Sequence, residues 1–225
     1  MIPEIHLRAF TDDQVVFDKV FLSNYYRIKN ITDKTVLDLG AHVGFFTLLC
    51  VFNNAKKVYS VEPFLENFFN LLKNVEEFKD KVKPFNLGVL AESSGFFSIV
   101  QPEFKDKYLN FSDLEPASQS EDRYKDSSYF LDLDKIMSQI DGKLDFLKIN
   151  LGYSELEMLE KSSKVKEVDY ICGVTKEDNE SITEFLLIMQ EKGFKDSFLK
   201  DEENGETLFL LAKDKCSDFF DLYTK

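Results

Sequence analysis

The sequence predicts an α/β fold in which helices cover both faces of an open, doubly wound and mostly parallel sheet. Short apolar segments alternate along the chain with segments whose apolar residues follow the helical period. The clearest example is residues 35–62, TVLDLGAHVGFFTLLCVFNNAKKVYSVE, in which a strand, a glycine turn, a helix and a second strand follow one another. This succession is typical of the β-α-β units that bind nucleotides at the carboxyl ends of their strands.

Composition limits the class of protein. The 225 residues contain no linker rich in proline, glycine or serine, so we expect a single domain over residues 1–225. Forty-one acidic and 28 basic residues give a formal net charge of −13, which disfavours a nucleic-acid partner. Three widely spaced cysteines and two histidines form no disulfide framework and no metal-ligand spacing, so we predict no metal. Without a signal peptide or a long apolar segment, we expect a cytoplasmic protein with no membrane contact.

The first elements lead to the glycine turn. Residues 1–31 carry short apolar pieces around a turn and predict a hairpin or a strand and helix that cap the sheet. Residues 36–39 then form a continuous apolar strand of the kind that is buried on both faces. A helix is expected to begin near Phe45, and residues 57–61 form the second strand.

The turn between strand and helix contains the first candidate site. Gly40 and Gly44 bracket it, so that backbone N–H groups can face a ligand. Glu62 follows Gly44 by 18 residues, close to the spacing at which an acid accepts hydrogen bonds from a ribose diol. The GxGxxG fingerprint is absent, and Asp38 before the turn suits a ligand with an amino group better than a pyrophosphate. A tight turn without any ligand is the alternative for this motif taken alone.

The remaining elements alternate between strands and helices. We predict strands at 82–90, 96–100, 144–150, 169–174, 194–199 and 207–212, and helices at 67–79, 131–140 and 179–192. The turn 203–205 joins the last two strands as a hairpin. The aromatic tail 214–225 is expected to dock on the core or on a partner.

Residues 101–125 have no regular period and exceed the usual length of a loop inside a compact domain. Their aromatic residues suggest a lid or a segment that binds substrate, with disorder as the alternative. These residues are Phe104, Tyr108, Phe111 and Tyr124.

Three segments carry a family resemblance. VLDLGAHVGFFTLL, KVYSVEPFLENFFNLLKN and DFLKINLGYSELEML resemble, in this order, the FkbM family of class I S-adenosylmethionine-dependent methyltransferases. The resemblance implies a Rossmann-like, mostly parallel seven-stranded sheet with one antiparallel strand. It also implies S-adenosylmethionine as cofactor and methylation of a hydroxyl on a small molecule or glycan, such as a sugar or natural product.

The resemblance assigns roles to residues at the ends of the strands. It implies that Glu62 and Pro63 bind the ribose of the cofactor, while Glu92 or the backbone of 88–89 flanks the adenine. The aminocarboxypropyl end of the cofactor is assigned to Asp38 and to the turn residues Gly40, Ala41, His42 and Gly44.

One segment departs from the family. Asn150 stands where the family has an aspartate that follows Lys148 by two positions, and an amide cannot act as a base at neutral pH. Glu155, Tyr153 and His42 are then the candidate bases, while Ser154 is expected to cap the next helix together with Glu157. A catalytically silent cofactor-binding or scaffold protein remains an alternative, and an NAD-dependent oxidoreductase a weaker one. The oligomeric state is not predictable from these patterns.

Overall fold

The computed structural model of the chain describes residues 5–100, 114–116, 125–152, 154–202 and 204–222. Tyr153 and the four aromatic residues predicted to form a lid lie outside these ranges. What they do therefore stays a prediction.

Eleven strands lie within the described ranges. They are β1 (Thr35–Leu39), β2 (Lys57–Val61), β3 (Val82–Phe85), β4 (Gly88–Leu90), β5 (Gly95–Val100), β6 (Leu114–Pro116), β7 (Lys125–Asp132), β8 (Phe146–Ile149), β9 (Tyr170–Thr175), β10 (Asp196–Asp201) and β11 (Thr207–Ala212). Seven of them form the main sheet in the order β10-β11-β9-β8-β1-β2-β3. Pairing is parallel from β9 to β3, and β11 runs antiparallel to both β9 and β10. The mostly parallel sheet with one antiparallel strand is therefore confirmed.

Seven α-helices lie within the same ranges. They are α1 (Asp13–Phe17), α2 (Phe45–Phe52), α3 (Leu65–Asn74), α4 (Leu133–Met137), α5 (Glu155–Lys161), α6 (Asn179–Glu191) and α7 (Cys216–Phe219). Helix α2 begins at the residue that the glycine turn predicts. Asp132 and Asp178 cap α4 and α6 by accepting hydrogen bonds from backbone N–H groups three residues on.

The two faces of the sheet carry separate apolar cores. Because successive side chains of a strand point to opposite faces, Val36 and Leu37 of β1 belong to different clusters. Helices α2, α3 and α7 cover the face of Val36, and α4, α5 and α6 cover the face of Leu37. The doubly wound arrangement brings the carboxyl ends of β1, β2 and β8 to one edge.

The predicted strand 82–90 is wrong, because the chain forms two strands there. β3 pairs with β2 in the main sheet, whereas β4 pairs with β7 in a second sheet of order β4-β7-β5-β6. The break falls at Asn86, whose side chain donates to the carbonyls of Glu62 and Pro63 at 2.9 Å each. Beyond the break, Gly88 lies against the Phe130 ring, which a Cβ at this position would approach to 2.1 Å.

The described N-terminal and C-terminal segments meet on one face of the sheet. The N-terminal segment is helical: α1 runs into a π-helical turn, Asp18–Leu22, and residues 5–31 form no hairpin. The C-terminal tail docks on the core, where the Phe219 carbonyl accepts the backbone N–H groups of Lys29 and Asn30. No helix in the described part of the chain has the length and apolar character needed to cross a bilayer.

Candidate functional site

The β1–α2 turn is built from residues with left-handed backbone. Gly40, His42 and Gly44 have φ values of +75°, +53° and +93°. The N–H groups of Gly40 and Ala41 both donate to the Val61 carbonyl at 3.0 Å, which attaches the turn to the end of β2. A Cβ on Gly40 would lie 2.0 Å from the Asn150 carbonyl oxygen, so the turn also fits closely against the end of β8. Only glycine satisfies both conditions at this position.

Asp38 and Lys148 form an ion pair beneath this turn. Lys148 Nζ donates to Asp38 Oδ1 at 2.9 Å and to the carbonyls of Leu39 and Gly40 at 3.1 and 2.8 Å. Thr47 Oγ1 donates to the other Asp38 oxygen at 2.7 Å, and the Asp38 side chain is 0% exposed. Asp38 is therefore hydrogen-bonded through both oxygens inside the protein, and its contact with a ligand amino group stays a prediction. Lys148, which the sequence places at the catalytic edge of the sheet, supports the turn through these contacts.

Glu62 lies at the carboxyl end of β2 beside the turn. Its carboxylate accepts the backbone N–H groups of His42 at 2.8 Å and Phe64 at 3.0 Å, and the Asn67 amide at 3.3 Å. Burial raises the pKa of Glu62 to about 7, although these three hydrogen bonds act in the opposite direction. A carboxyl group that is part protonated at neutral pH can both accept and donate a hydrogen bond.

His42 contacts the N-terminal segment. Its Nε2 lies 3.2 Å from Arg8 Nη2, and Arg8 in turn binds both carboxylate oxygens of Asp13. Burial and the nearby guanidinium lower the pKa of His42 to about 4. A base needs a free lone pair, and that of Nε2 faces a donor. This contact disfavours His42 as the general base.

The segment after β8 is shaped by Glu155. Its Oε1 accepts the backbone N–H groups of Leu151 at 2.8 Å and Gly152 at 2.5 Å, and the side chain is buried. These hydrogen bonds engage one carboxylate oxygen, and the role of Glu155 as a base stays a prediction. Ser154 has a φ of +51° and makes no side-chain cap to the described residues, so the predicted capping box with Glu157 is wrong.

Asn150 is joined to the N-terminal segment. A hydrogen bond of 2.9 Å links its Nδ2 to the hydroxyl of Tyr26, which is buried. The amide thus lies at the carboxyl edge of the sheet with one of its groups engaged. The Asn150 amide has no basic lone pair that could take a proton from a substrate hydroxyl.

The other predicted residues differ in placement. Pro63 is buried beside Glu62, whereas the Glu92 side chain is 70% exposed and pairs with Lys161 at 3.4 Å. The sequence did not indicate three residues that contact this site. Arg8 contacts His42, Asn67 donates to Glu62, and Asn86 donates to the carbonyls that follow β2. These contacts join positions that local patterns do not relate, such as Arg8 and His42, 34 residues apart.

Residues 38–195 match the family model of the methyltransferase FkbM domain. The match includes the glycine turn, Glu62 and the segment after β8, while Arg8 and Tyr26 lie before it. No curated protein sequence matches the chain significantly.

Solved structures share the fold. An FkbM methyltransferase from Methylobacillus flagellatus KT superposes with a TM-score of 0.57 at 13% identity, over 87% of this chain and 47% of that one. TrmK of M. capricolum, solved with S-adenosylhomocysteine, gives 0.51 at 13% identity over 91% and 71% of the two chains. An rRNA methylase from Streptococcus thermophilus gives 0.52 at 12% identity over 85% and 94%. The family match covers more than half of the chain, and the chain therefore belongs to the FkbM methyltransferase family.

Proposed function

We propose that this chain transfers the methyl group of S-adenosylmethionine to a hydroxyl group of a sugar, glycan or natural product. Family membership supports methyl transfer. The observation that carries the cofactor assignment is the buried Glu62 carboxyl at the end of β2, held against the N–H of the glycine turn. This is the place at which α/β sheets with this topology bind the ribose of a nucleotide.

The groups present fit this cofactor. Glu62 offers a carboxyl to the ribose diol, and its raised pKa lets it exchange hydrogen bonds with both hydroxyls. His42 offers a buried Nδ1 that has no partner among the described residues. The ion pair of Asp38 and Lys148 fixes the turn from below, so the aminocarboxypropyl end would meet the turn.

Little chemistry is required of the side chains. The sulfonium of the cofactor supplies an activated methyl group whose carbon–sulfur bond breaks as the acceptor oxygen bonds to carbon, leaving a neutral thioether. The protein must align the acceptor and exclude water around it. The Nε2 of His42 is engaged by Arg8, so the hydroxyl proton passes to Glu155 or Tyr153, the remaining candidate bases, and from there to bulk water.

The proposed acceptor class is supported by the net charge of the chain and by its membership of the FkbM family. A formal net charge of −13 disfavours a polyphosphate chain as acceptor, although structural neighbours include an rRNA methylase. Members of the FkbM family are expected to methylate hydroxyl groups, and a neutral sugar meets no repulsion from this surface. Nucleic acid is therefore kept as a control substrate.

Cofactor binding without transfer is a second candidate. Asn150 replaces the family aspartate, and its amide is bound to the Tyr26 hydroxyl. A protein of this kind would bind S-adenosylmethionine and S-adenosylhomocysteine alike and methylate no acceptor. The two candidate functions differ only in whether an acceptor is methylated.

Two measurements test the proposal. Calorimetry with S-adenosylmethionine, S-adenosylhomocysteine and NAD is expected to give heat with the two sulfur compounds only. A screen with radiolabelled cofactor then compares nucleotide sugars, glycans, small hydroxylated metabolites and RNA. Absence of binding by either sulfur compound would overturn the cofactor assignment, and labelling of RNA alone would overturn the acceptor class.

Glu62→Ala is the matching variant. The substitution removes the carboxyl group that the ribose would contact. S-adenosylhomocysteine should then bind at least tenfold more weakly, a loss of about 1.4 kcal/mol in binding free energy. Calorimetry at pH 7.5 measures this, with circular dichroism to show that the variant is folded. Glu76→Ala serves as the control, since that side chain is 70% exposed, and the assignment fails if the two variants bind alike.

A further inference from the structure

The contact between Arg8 and His42 determines where the imidazole carries its proton. A guanidinium has only donors, so the Arg8 Nη2 that lies 3.2 Å from His42 Nε2 must donate to it. Nε2 is then the acceptor of the neutral ring, and the proton sits on Nδ1. A doubly protonated ring would place two donors against each other.

The guanidinium is itself held in one orientation. Arg8 Nε and Nη2 donate to the two oxygens of Asp13 at 2.9 and 2.7 Å, and Nη1 donates to Asn67 Oδ1 at 2.8 Å. Asp13 is buried. Asn67 also contacts Glu62, so one chain of hydrogen bonds runs from the N-terminal segment to both polar groups of the candidate site. A bidentate pair of this kind fixes the plane of the guanidinium as well as its position.

The opposite nitrogen of His42 has no hydrogen-bond partner in the described part of the chain. Nδ1 is buried and makes no hydrogen bond to any described residue. His42 lies in the turn itself, with its backbone N–H bonded to Glu62. Because buried donors are nearly always satisfied, an acceptor for Nδ1–H is expected from outside the described residues.

We propose that Arg8 is a positioning residue which holds His42 as the neutral Nδ1–H tautomer, so that the turn presents a hydrogen-bond donor to a carboxylate or hydroxyl oxygen of the bound cofactor. Arg8 and Asp13 lie before the segment that matches the family model, so this device belongs to the N-terminal part of this chain. The tautomer is a property of the protein alone. Its use in cofactor binding rests on the proposed function.

The tautomer is measured first, without cofactor. The chain has only two histidines, so His6→Gln leaves His42 as the single imidazole, and ¹⁵N NMR of labelled histidine reports which nitrogen is protonated. We expect Nδ1–H in this background and a gain of the Nε2–H form in Arg8→Met. Asp13→Asn, which frees the guanidinium, should shift the ring in the same direction. Protonation of Nε2 with Arg8 present would overturn the proposal, even if the Arg8 variant does not fold.

Cofactor affinity is measured second. Arg8→Met should weaken S-adenosylhomocysteine binding at least about fivefold, the effect of one hydrogen bond. Glu66→Gln is the matched control, because it removes only the 3.5 Å contact of Arg8 with an exposed carboxylate. An unchanged affinity in Arg8→Met would refute the positioning role. If no variant and no wild-type protein binds S-adenosylhomocysteine, the cofactor assignment fails while the tautomer measurement still decides the role of Arg8.

Discussion

A single carboxyl group sets an expected pH dependence. The pKa of Glu62 is about 7 in the folded protein and near 4.5 when the side chain is exposed, because burial disfavours the charged form. Between these pH values the folded state holds a proton that the unfolded state has released. The free energy of unfolding should therefore fall as pH rises through this window.

We expect Glu62→Gln to remove this dependence. Relative to the variant, the wild-type protein should lose about 2–3 kcal/mol between pH 5 and pH 8. Urea unfolding of both proteins at the two pH values measures the difference. His42, whose pKa is lowered to about 4, acts with the opposite sign below pH 6.5 but is present in both proteins. A difference that stays constant with pH would contradict the raised pKa.

The ion pair of Asp38 and Lys148 predicts a large and specific loss of stability. Both side chains are buried, so Lys148→Met leaves an unpaired carboxylate inside the protein and should cost about 3–5 kcal/mol in the free energy of unfolding. Lys143→Met is the control, because that lysine is 60% exposed and its pairs should contribute less than about 1 kcal/mol.

A double variant separates charge from packing. Adding Asp38→Asn to Lys148→Met removes the unpaired charge and should recover part of the loss, which urea unfolding can measure. If Lys148→Met and Lys143→Met cost the same, the buried pair does not have the role assigned to it.

At the scale of elements, the glycine turn is expected to be intolerant of a side chain. Gly40→Ala adds a Cβ where φ is +75° and where the Asn150 carbonyl oxygen would be 2.0 Å away, so the end of β1 must move. The expected cost is more than about 3 kcal/mol, above the 1–2 kcal/mol that a left-handed backbone alone costs an alanine.

Gly205 isolates the backbone contribution. It has a similar φ of +78°, and no described atom lies within 4 Å of its Cβ position. Gly205→Ala should therefore show only the smaller cost in thermal or urea unfolding. Equal losses in the two variants would mean that the approach of the turn to β8 contributes nothing.

Elements with a local signal were predictable from the sequence. Strand 207–212 and the start of α2 at Phe45 have the predicted bounds, because periodicity and a flanking glycine define them within a few residues. The predicted strand 82–90 failed because its two halves pair with different partners, β2 and β7, and no local pattern records that choice. The capping box at Ser154 failed because the backbone of Ser154 is left-handed, whereas a capping serine has an extended backbone.

The sequence placed Glu62 beside the glycine turn, as the structure does, but it did not predict the other contacts of these residues. Glu62 and the glycine turn were located by their spacing along the chain. Asp38 was placed on the ligand, because nothing in its neighbourhood shows that Lys148, 110 residues away, binds it. Contacts between distant segments depend on the tertiary fold, so no local pattern indicated the contact of Arg8 with His42.

At the scale of the whole molecule, the C-terminal tail contacts the N-terminal segment and contributes Cys216, Phe219 and Phe220 to the core. Phe219 stacks on Tyr170 at 4.3 Å between ring centroids and packs on Phe146 at 4.8 Å. Its carbonyl accepts two N–H groups from residues 29 and 30, which lead into the first strand of the sheet. Tail and N-terminal segment should therefore unfold together with the domain.

Phe219→Ala tests this coupling. The side chain is 1% exposed, so the cavity should cost about 3–5 kcal/mol and lower the stability of the whole domain in one transition. Phe10→Ala is the control, since that ring is fully exposed and its loss should change stability by less than about 0.5 kcal/mol. Urea unfolding followed by circular dichroism and by tyrosine fluorescence measures both. Separate transitions for the two probes in the wild-type protein, or an unchanged midpoint in Phe219→Ala, would mean that the tail only rests on the domain, since two-state unfolding requires the probes to coincide.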